Sequence, residues 1–309
     1  MKHFFETLYY HPKGYQYLII LILLPLSLIY GTFMLVRRRF AVKKEFGLPI
    51  VSVGNLIVGG SGKTPLVIAL GQRYDAKKVA VISRGYGRQS RGLIEVSREG
   101  EVLTDVRESG DEAMLMARSL PKTSVIVSEN REEAIIHAKQ QGAELIILDD
   151  GFNRVDIKKF EIILEPEKVA NMLPFPAGPF REFWFVSRDA DLLLKEGRDF
   201  KRCVEVPTAC RQMLLATAIA NPARLEPYLP QDSIAGRFYL EDHAYFDESV
   251  LTREMEKVGA ECLLVTQKDA VKMEGFKLAI VEMKLKLELH EEKIAKIDEY
   301  IKKYKETME

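Results

Sequence analysis

Apolar and polar positions divide the chain into two kinds of stretch. Near the N-terminus, residues 17–36 run for a full helix length without a charge. Beyond residue 49 the pattern changes to short apolar, β-branched runs separated by stretches of helical periodicity. The short runs predict buried strands at 50–53, 78–83, 123–128, 144–148, 160–164, 190–194, 212–219 and 262–266. The longer stretches predict helices at 66–74, 113–120, 131–141 and 249–258, and another starting at Asn221. Between 92 and 106 apolar and polar residues alternate around Arg98-Glu99-Gly100, which predicts a hairpin. The tail from His290 carries Lys and Glu at helical spacing and reads as a solvated terminal helix. Strands alternating with helices predict an α/β fold on a parallel sheet.

The uncharged run 17–36 is about as long as a membrane helix needs. Arg37, Arg38, Arg39, Lys43 and Lys44 follow it, against Lys2 and Lys13 before it, which places the rest of the chain on the cytoplasmic side. A cleaved signal peptide would carry its charge first and end in small residues. Pro25 and Gly31 would loosen the helix, so it either spans the membrane or is embedded without crossing. The competing reading, a buried core helix, fits poorly with a stretch apolar on every side.

At 309 residues the chain suits two lobes. Lys+Arg and Asp+Glu are both 45, so no basic excess points to nucleic acid. Cys203, Cys210 and Cys262 have no C-x-x-C spacing and are odd in number, which indicates neither a zinc site nor a disulfide framework and fits a reducing compartment. The expected organisation is a membrane anchor with a basic segment over 1–48, a nucleotide-binding domain over 49–205, and a smaller α/β domain with a C-terminal helix over 206–309.

The stretch after the first strand carries the chemistry. Ile57-Val58-Gly59-Gly60-Ser61-Gly62-Lys63-Thr64 lies between a strand and a helix, the context of a phosphate-binding loop. Glycines let backbone N–H groups approach phosphate oxygens, and the helix N-terminus adds positive potential. Lys63 would reach the β and γ phosphates, and the Thr64 hydroxyl would ligate Mg²⁺. Ile57 stands where the usual pattern has its first glycine. Asp149 follows an apolar strand, where a second Mg²⁺ carboxylate belongs in such a protein, although Asp150-Gly151 also suits a simple turn. Asp111-Glu112 reads two ways. Ser109 and Glu112 fit a helix capping box with Asp111 as a first-turn acid, and catalysis is the competing role. His243, in an acidic loop after a strand, is either incidental or catalytic.

Several motifs in a fixed order resemble the tetraacyldisaccharide 4′-kinases, enzymes of the lipid A pathway. They are Val53-Gly54-Asn55-Leu56 with the glycine loop, Ile82-Ser83-Arg84-Gly85-Tyr86-Gly87, Gly110-Asp111-Glu112, and Leu148-Asp149-Asp150-Gly151-Phe152. Gly178-Pro179-Phe180-Arg181-Glu182, Ala218-Ile219-Ala220-Asn221-Pro222, Asp242-His243 and Thr266-Gln267-Lys268-Asp269-Ala270-Val271 complete the set. That family also lacks the first loop glycine. The resemblance implies a P-loop NTPase-like parallel sheet with a smaller C-terminal α/β lobe and an N-terminal membrane helix. It implies ATP-dependent phosphorylation of the 4′-hydroxyl of an acylated glucosamine disaccharide 1-phosphate at the cytoplasmic face of the bacterial inner membrane. Asp111 would be the base, working with His243, while Lys63 acts on the phosphates. Thr64, Glu112 and Asp149 would surround Mg²⁺, and no protein partner is expected. The chain departs from the family pattern at Asn153, Arg154 and Ala244.

Two other classes compete, a membrane-tethered nucleotide switch and a nucleotide-dependent scaffold without lipid kinase activity. A guanine-reading switch would carry N-K-x-D. Thr266-Gln267-Lys268-Asp269 places its lysine one position late. Arg37–Arg39, Arg84, Arg88 and Arg181 are candidates for contacting a phosphate on the acceptor, with membrane attraction or plain solvation as the competing roles.

Overall fold

A computed structural model describes residues 2–57, 62–165, 169–207 and 209–308. The chain opens with helices α1 (Lys2–Tyr10) and α2 (Gln16–Phe40). Strand β1 (Ile50–Asn55), helix α3 (Lys63–Arg73) and strand β2 (Val79–Ser83) follow. Next come the hairpin β3 (Ile94–Arg98) and β4 (Glu101–Val102), then α4 (Val106–Ser109), α5 (Asp111–Ser119), β5 (Ser124–Val127), α6 (Arg131–Gln140) and β6 (Leu145–Asp149). The chain continues through β7 (Phe160–Leu164), β8 (Leu192–Leu194), β9 (Phe200–Glu205), β10 (Met213–Thr217) and β11 (Ile234–Tyr239). It closes with α7 (Glu248–Val258), β12 (Cys262–Thr266), α8 (Gln267–Ala270), β13 (Ile280–Leu289) and α9 (Glu291–Met308). The expected α/β class holds.

Two compact units emerge. The first comprises 1–67, 139–201 and 289–309. Its strands lie side by side as β6, β1, β7 and β8, all parallel. Every residue of β1 and of β6 is buried, which is why both read as continuous apolar runs rather than alternations. The register sets Val53 beside Asp149, so Asp149 stands at the C-terminal edge, where α/β sheets bind ligands. Helix α9 is tied to this sheet through the Tyr300 hydroxyl, which donates to the Ile50 carbonyl at 3.2 Å.

Helix α2 is 25 residues long and contains an 18-residue stretch with a mean hydropathy of 2.5, long and apolar enough to cross a membrane by length and composition. Arg37, Arg38 and Arg39 fill its last turn, where cations complement the exposed carbonyls.

The second unit comprises 68–138 and 202–288. It holds β4, β3, β5 and β2 in that order, with β2–β5 parallel and the predicted hairpin β3–β4 antiparallel. It also holds the smaller lobe, a sheet ordered β11-β10-β12-β13-β9. Leu214, Ala216, Leu263 and Val265 pack on one face of that sheet with Leu251 and Met255 of α7. Met213, Leu215, Cys262 and Leu264 pack on the other.

Cys210 and Cys262 are joined as a disulfide, with Cα atoms 6.4 Å apart, contrary to the absence of a disulfide read from their spacing. The pairing brings together residues 52 apart in sequence, a separation that leaves no local signal.

The capping box also gives way. Helix α5 is preceded by Gly110 at φ 85, with no side-chain cap. Ser109 Oγ instead donates to Asp105 and Gly110 carbonyls. A side chain at Gly110 would be strained at that φ and would meet the Tyr86 carbonyl oxygen at 2.8 Å.

Candidate active site

The first unit carries the phosphate-loop residues. Ile57 packs into an apolar cluster with Leu56, Phe152, Ile163 and Phe180, and makes an isolated bridge to Phe180. Its side chain therefore anchors the loop's entry. Val58, Gly59, Gly60 and Ser61 lie outside the described residues. Gly62 has φ 77, which favours glycine, and Lys63 and Thr64 open α3. Pro65 falls in the first turn of that helix, where its missing N–H costs nothing.

Lys63 Nζ donates to Asn55 Oδ1 at 3.3 Å and lies 3.6 Å from Asp150 Oδ1. Asp150 also receives Arg181 Nη1 on both oxygens, at 3.0 and 2.9 Å. It sits at φ 51, so the turn reading of Asp150-Gly151 holds for its backbone while its carboxylate serves two cations. Asp149, one residue earlier, is buried at the end of β6. Next to this turn, Phe152 presses on β1. A Cβ at Gly54 would lie 2.5 Å from Phe152 Cβ, so only glycine admits the approach.

The second unit holds the other predicted pair. Asp111 is the first residue of α5, and His243 follows β11 at φ 64, a conformation rare for a side-chain-bearing residue. The two are 132 residues apart in sequence, yet His243 Nδ1 lies 3.0 and 2.9 Å from the two Asp111 oxygens. The other ring nitrogen, Nε2, lies 3.5 Å from Asp242 Oδ2. The Tyr86 ring stands 5.1 Å from the His243 ring, and Gly87, at φ 77, passes within van der Waals reach of the same imidazole.

Two lysines with no role assigned from the sequence, Lys268 of the Thr266–Val271 motif and Lys272, complete the cluster. Lys268 Nζ lies 3.7 Å from Asp111, 3.3 Å from Glu112 and 3.5 Å from Asp242. Lys272, buried, pairs with Asp269 at 2.9 Å and reaches Asp111 at 3.9 Å. Asp269 in turn accepts from the Thr217 and Thr266 hydroxyls and the Ala218 N–H, which fixes the start of α8. Burial pushes the Asp111 carboxyl up, but the hydrogen bond from His243 and the charges of Lys268 and Lys272 outweigh it. Asp111 is thus held below its ordinary range and is ionised at neutral pH. Burial lowers Lys268, and Asp111, Glu112 and Asp242 more than reverse that, so it stays charged.

Thr64 and Asp149 are hard oxygen donors of the kind Mg²⁺ takes, usually one or two from protein with phosphates and water completing the shell. Glu112 is engaged instead by Lys268. Among the described residues no group of three or more His, Cys, Asp or Glu forms a metal cluster. Of the arginine candidates, Arg38 pairs with Glu182, Arg181 with Asp150, and Arg88 with Glu129 at 2.5 Å, so these are not merely solvated. Arg37 donates to the Asn153 carbonyl at 3.1 Å, while Arg39 and Arg84 are exposed.

Comparison with known proteins points the same way. The profile of the tetraacyldisaccharide-1-P 4′-kinase family matches residues 19–302. The tetraacyldisaccharide 4′-kinase of Helicobacter acinonychis is 43% identical over 98% of this chain and 96% of its own length. That of Aliarcobacter butzleri is 39% identical over 97% of each. The crystal structure of LpxK from Aquifex aeolicus in complex with ATP superposes with a TM-score of 0.77 at 27% identity, covering 93% of this chain and 99% of that one. The chain belongs to the tetraacyldisaccharide-1-P 4′-kinase family.

Proposed function

We propose that the protein transfers the γ-phosphoryl group of ATP to the 4′-hydroxyl of an acylated glucosamine disaccharide 1-phosphate in lipid A biosynthesis. The observation that carries this is the Asp111–His243 pair at 2.9 Å, in a chain whose family match runs nearly end to end. A nucleotide switch or an inert scaffold has no use for such a proton acceptor.

Residues 57–64 cradle the nucleotide phosphates, and Lys63 exchanges Asp150 for the γ-phosphate. Thr64 and Asp149 would hold Mg²⁺, which would neutralise charge on the β and γ phosphates. Glu112, the third expected ligand, is paired with Lys268 at 3.3 Å and would serve only by giving up that lysine. The acceptor hydroxyl gives its proton to the Asp111–His243 pair as its oxygen bonds to the γ-phosphorus. The bond to the β-phosphate oxygen then breaks and ADP leaves. His243 holds the Asp111 carboxylate in place, and the φ of 64 sets the imidazole's direction. Helix α2 keeps the protein on the cytoplasmic face of the inner membrane, where the acylated acceptor resides. The test is phosphate transfer. Purified protein with γ-labelled ATP, Mg²⁺ and tetraacyldisaccharide 1-phosphate should place one labelled phosphate on the 4′ oxygen, read by mass spectrometry. ATP hydrolysis with no labelled lipid would favour the switch.

A further inference from the structure

Helix α2 is not free along its length. Ser27, fully buried, accepts the Ala177 N–H through Oγ at 2.7 Å. Four residues on, a Cβ at Gly31 would lie 2.7 Å from the Phe183 ring, so that ring rests on the helix backbone. The Tyr30 and Phe175 rings meet edge to face at 5.8 Å, and Arg38 holds Glu182. One flank from Ser27 to Arg38 is thus covered by the segment 171–183 of the same unit. Those 11 helical steps span ~16 Å, about half of a bilayer's hydrocarbon core. This half of the helix cannot cross hydrocarbon without carrying the covering segment with it.

The covering segment is itself apolar outward. Met172, Phe175, Trp184 and Phe185 are exposed, as are Ile22, Leu26, Ile29, Phe33 and Val36 of α2. Phe183 and Phe185 stack at 5.2 Å, and the Arg188 guanidinium lies 5.4 Å over the Trp184 ring. Exposed aromatics backed by arginine are the chemistry of a membrane–water boundary, where a ring sits at headgroup depth and the cation meets phosphate. Arg37, Arg39 and Arg188 are exposed, Arg37 with one N–H on the Asn153 carbonyl and its remaining donors open to lipid phosphate.

We propose that residues 172–188 form a second membrane contact continuous with α2. Phe175, Trp184 and Phe185 seat at the headgroup–acyl boundary of an anionic bilayer, and Arg37, Arg39 and Arg188 pair with lipid phosphates. The protein is then monotopic, with α2 embedded along its uncovered face rather than spanning. This rests on the reading that α2 engages the membrane, and adds that the folded body does too.

Trp184 is the one tryptophan in the chain, so its emission reports this contact alone. Full-length protein should be mixed with phosphatidylethanolamine–phosphatidylglycerol vesicles. The account expects a blue shift, strong quenching by lipids brominated near the ester end of the acyl chain, and weaker quenching by lipids brominated at its tip. The Trp184→Ser, Phe185→Ser double variant should partition about tenfold or more weakly, given the apolar area removed. Sedimentation with vesicles while Trp184 stays unquenched would overturn the second contact and leave the α2 anchor standing. A blue shift that needs protein concentration but no lipid would put a second copy of the chain there and overturn it likewise. No sedimentation at all would remove both.

Discussion

Arg38 grips Glu182 through both Nε and Nη2, each at 2.8 Å, and stacks its guanidinium 3.9 Å over the Phe152 ring. The arginine ends the apolar helix, and Glu182 is almost wholly buried in the segment that runs beside it. Arg38 Nη2 also donates to the Phe152 carbonyl at 3.2 Å, and Phe152 is the residue that presses on Gly54 just before the phosphate loop. Helix α2 is therefore fastened to the turn that carries Asp149 and Asp150.

Breaking this pair strands a buried carboxylate. Arg38→Met should destabilise the protein by about 3–5 kcal/mol. The double variant Arg38→Met, Glu182→Gln should recover a good part of that, because the stranded charge is gone. Denaturant melts in detergent check it. Additive losses would mean the two side chains do not depend on each other.

Lys63→Ala should lower kcat/KM on the order of 10²–10³-fold, by removing the cation from the γ-phosphate, with thermal stability little changed. Steady-state kinetics with varied ATP reads this. An unchanged kcat/KM would leave Lys63 as no more than a partner for Asn55 and Asp150.

Asp111→Ala and His243→Ala should each cost on the order of 10²–10⁴-fold in kcat. The double variant should be scarcely worse than the poorer single, since two parts of one base fail together. Losses that multiply in full would separate their roles.

Asp199 gives a pH signature of stability. Burial raises its carboxyl, but bonds from Arg198, the Lys195 N–H and Lys293 bring it down to about 2. The unfolded value is about 3.9. The stabilisation is therefore complete above the unfolded value and is lost as pH falls through the folded one. With Arg198 exposed, it is worth about 1 kcal/mol after solvent screening. Asp199→Asn should lower stability at neutral pH by about that amount and flatten the acid limb of a melting-temperature profile. An acid limb identical to the parent's would contradict it.

Much of the fold was legible because its signals are local. Buried runs such as Leu145–Asp149 announce a parallel sheet, and glycines followed by Lys63 and Thr64 announce a phosphate loop. The strand β13 escapes that reading. Lys and Glu at alternate positions dilute its hydropathy, although the alternation itself is a strand signal. Lys268 carries no local sign of its role for a different reason. Its partners Asp111 and Glu112 are 157 and 156 residues away, and Thr266-Gln267-Lys268-Asp269 invited comparison with a guanine motif instead. Its electrostatic role exists only once α5 and α8 come together. The capping box was the opposite case, a correct local pattern that Gly110 overrides by freeing Asp111 to meet His243.

The central claim is that a P-loop kinase is held at a membrane because its acceptor is a lipid. Acceptor dependence tests it most directly. With ATP and Mg²⁺ in mixed micelles, transfer rates should be measured on the acylated disaccharide 1-phosphate, on its deacylated form and on free glucosamine. The account predicts rapid transfer to the acylated acceptor and scarcely any to the two water-soluble sugars. Equal rates on all three would contradict it.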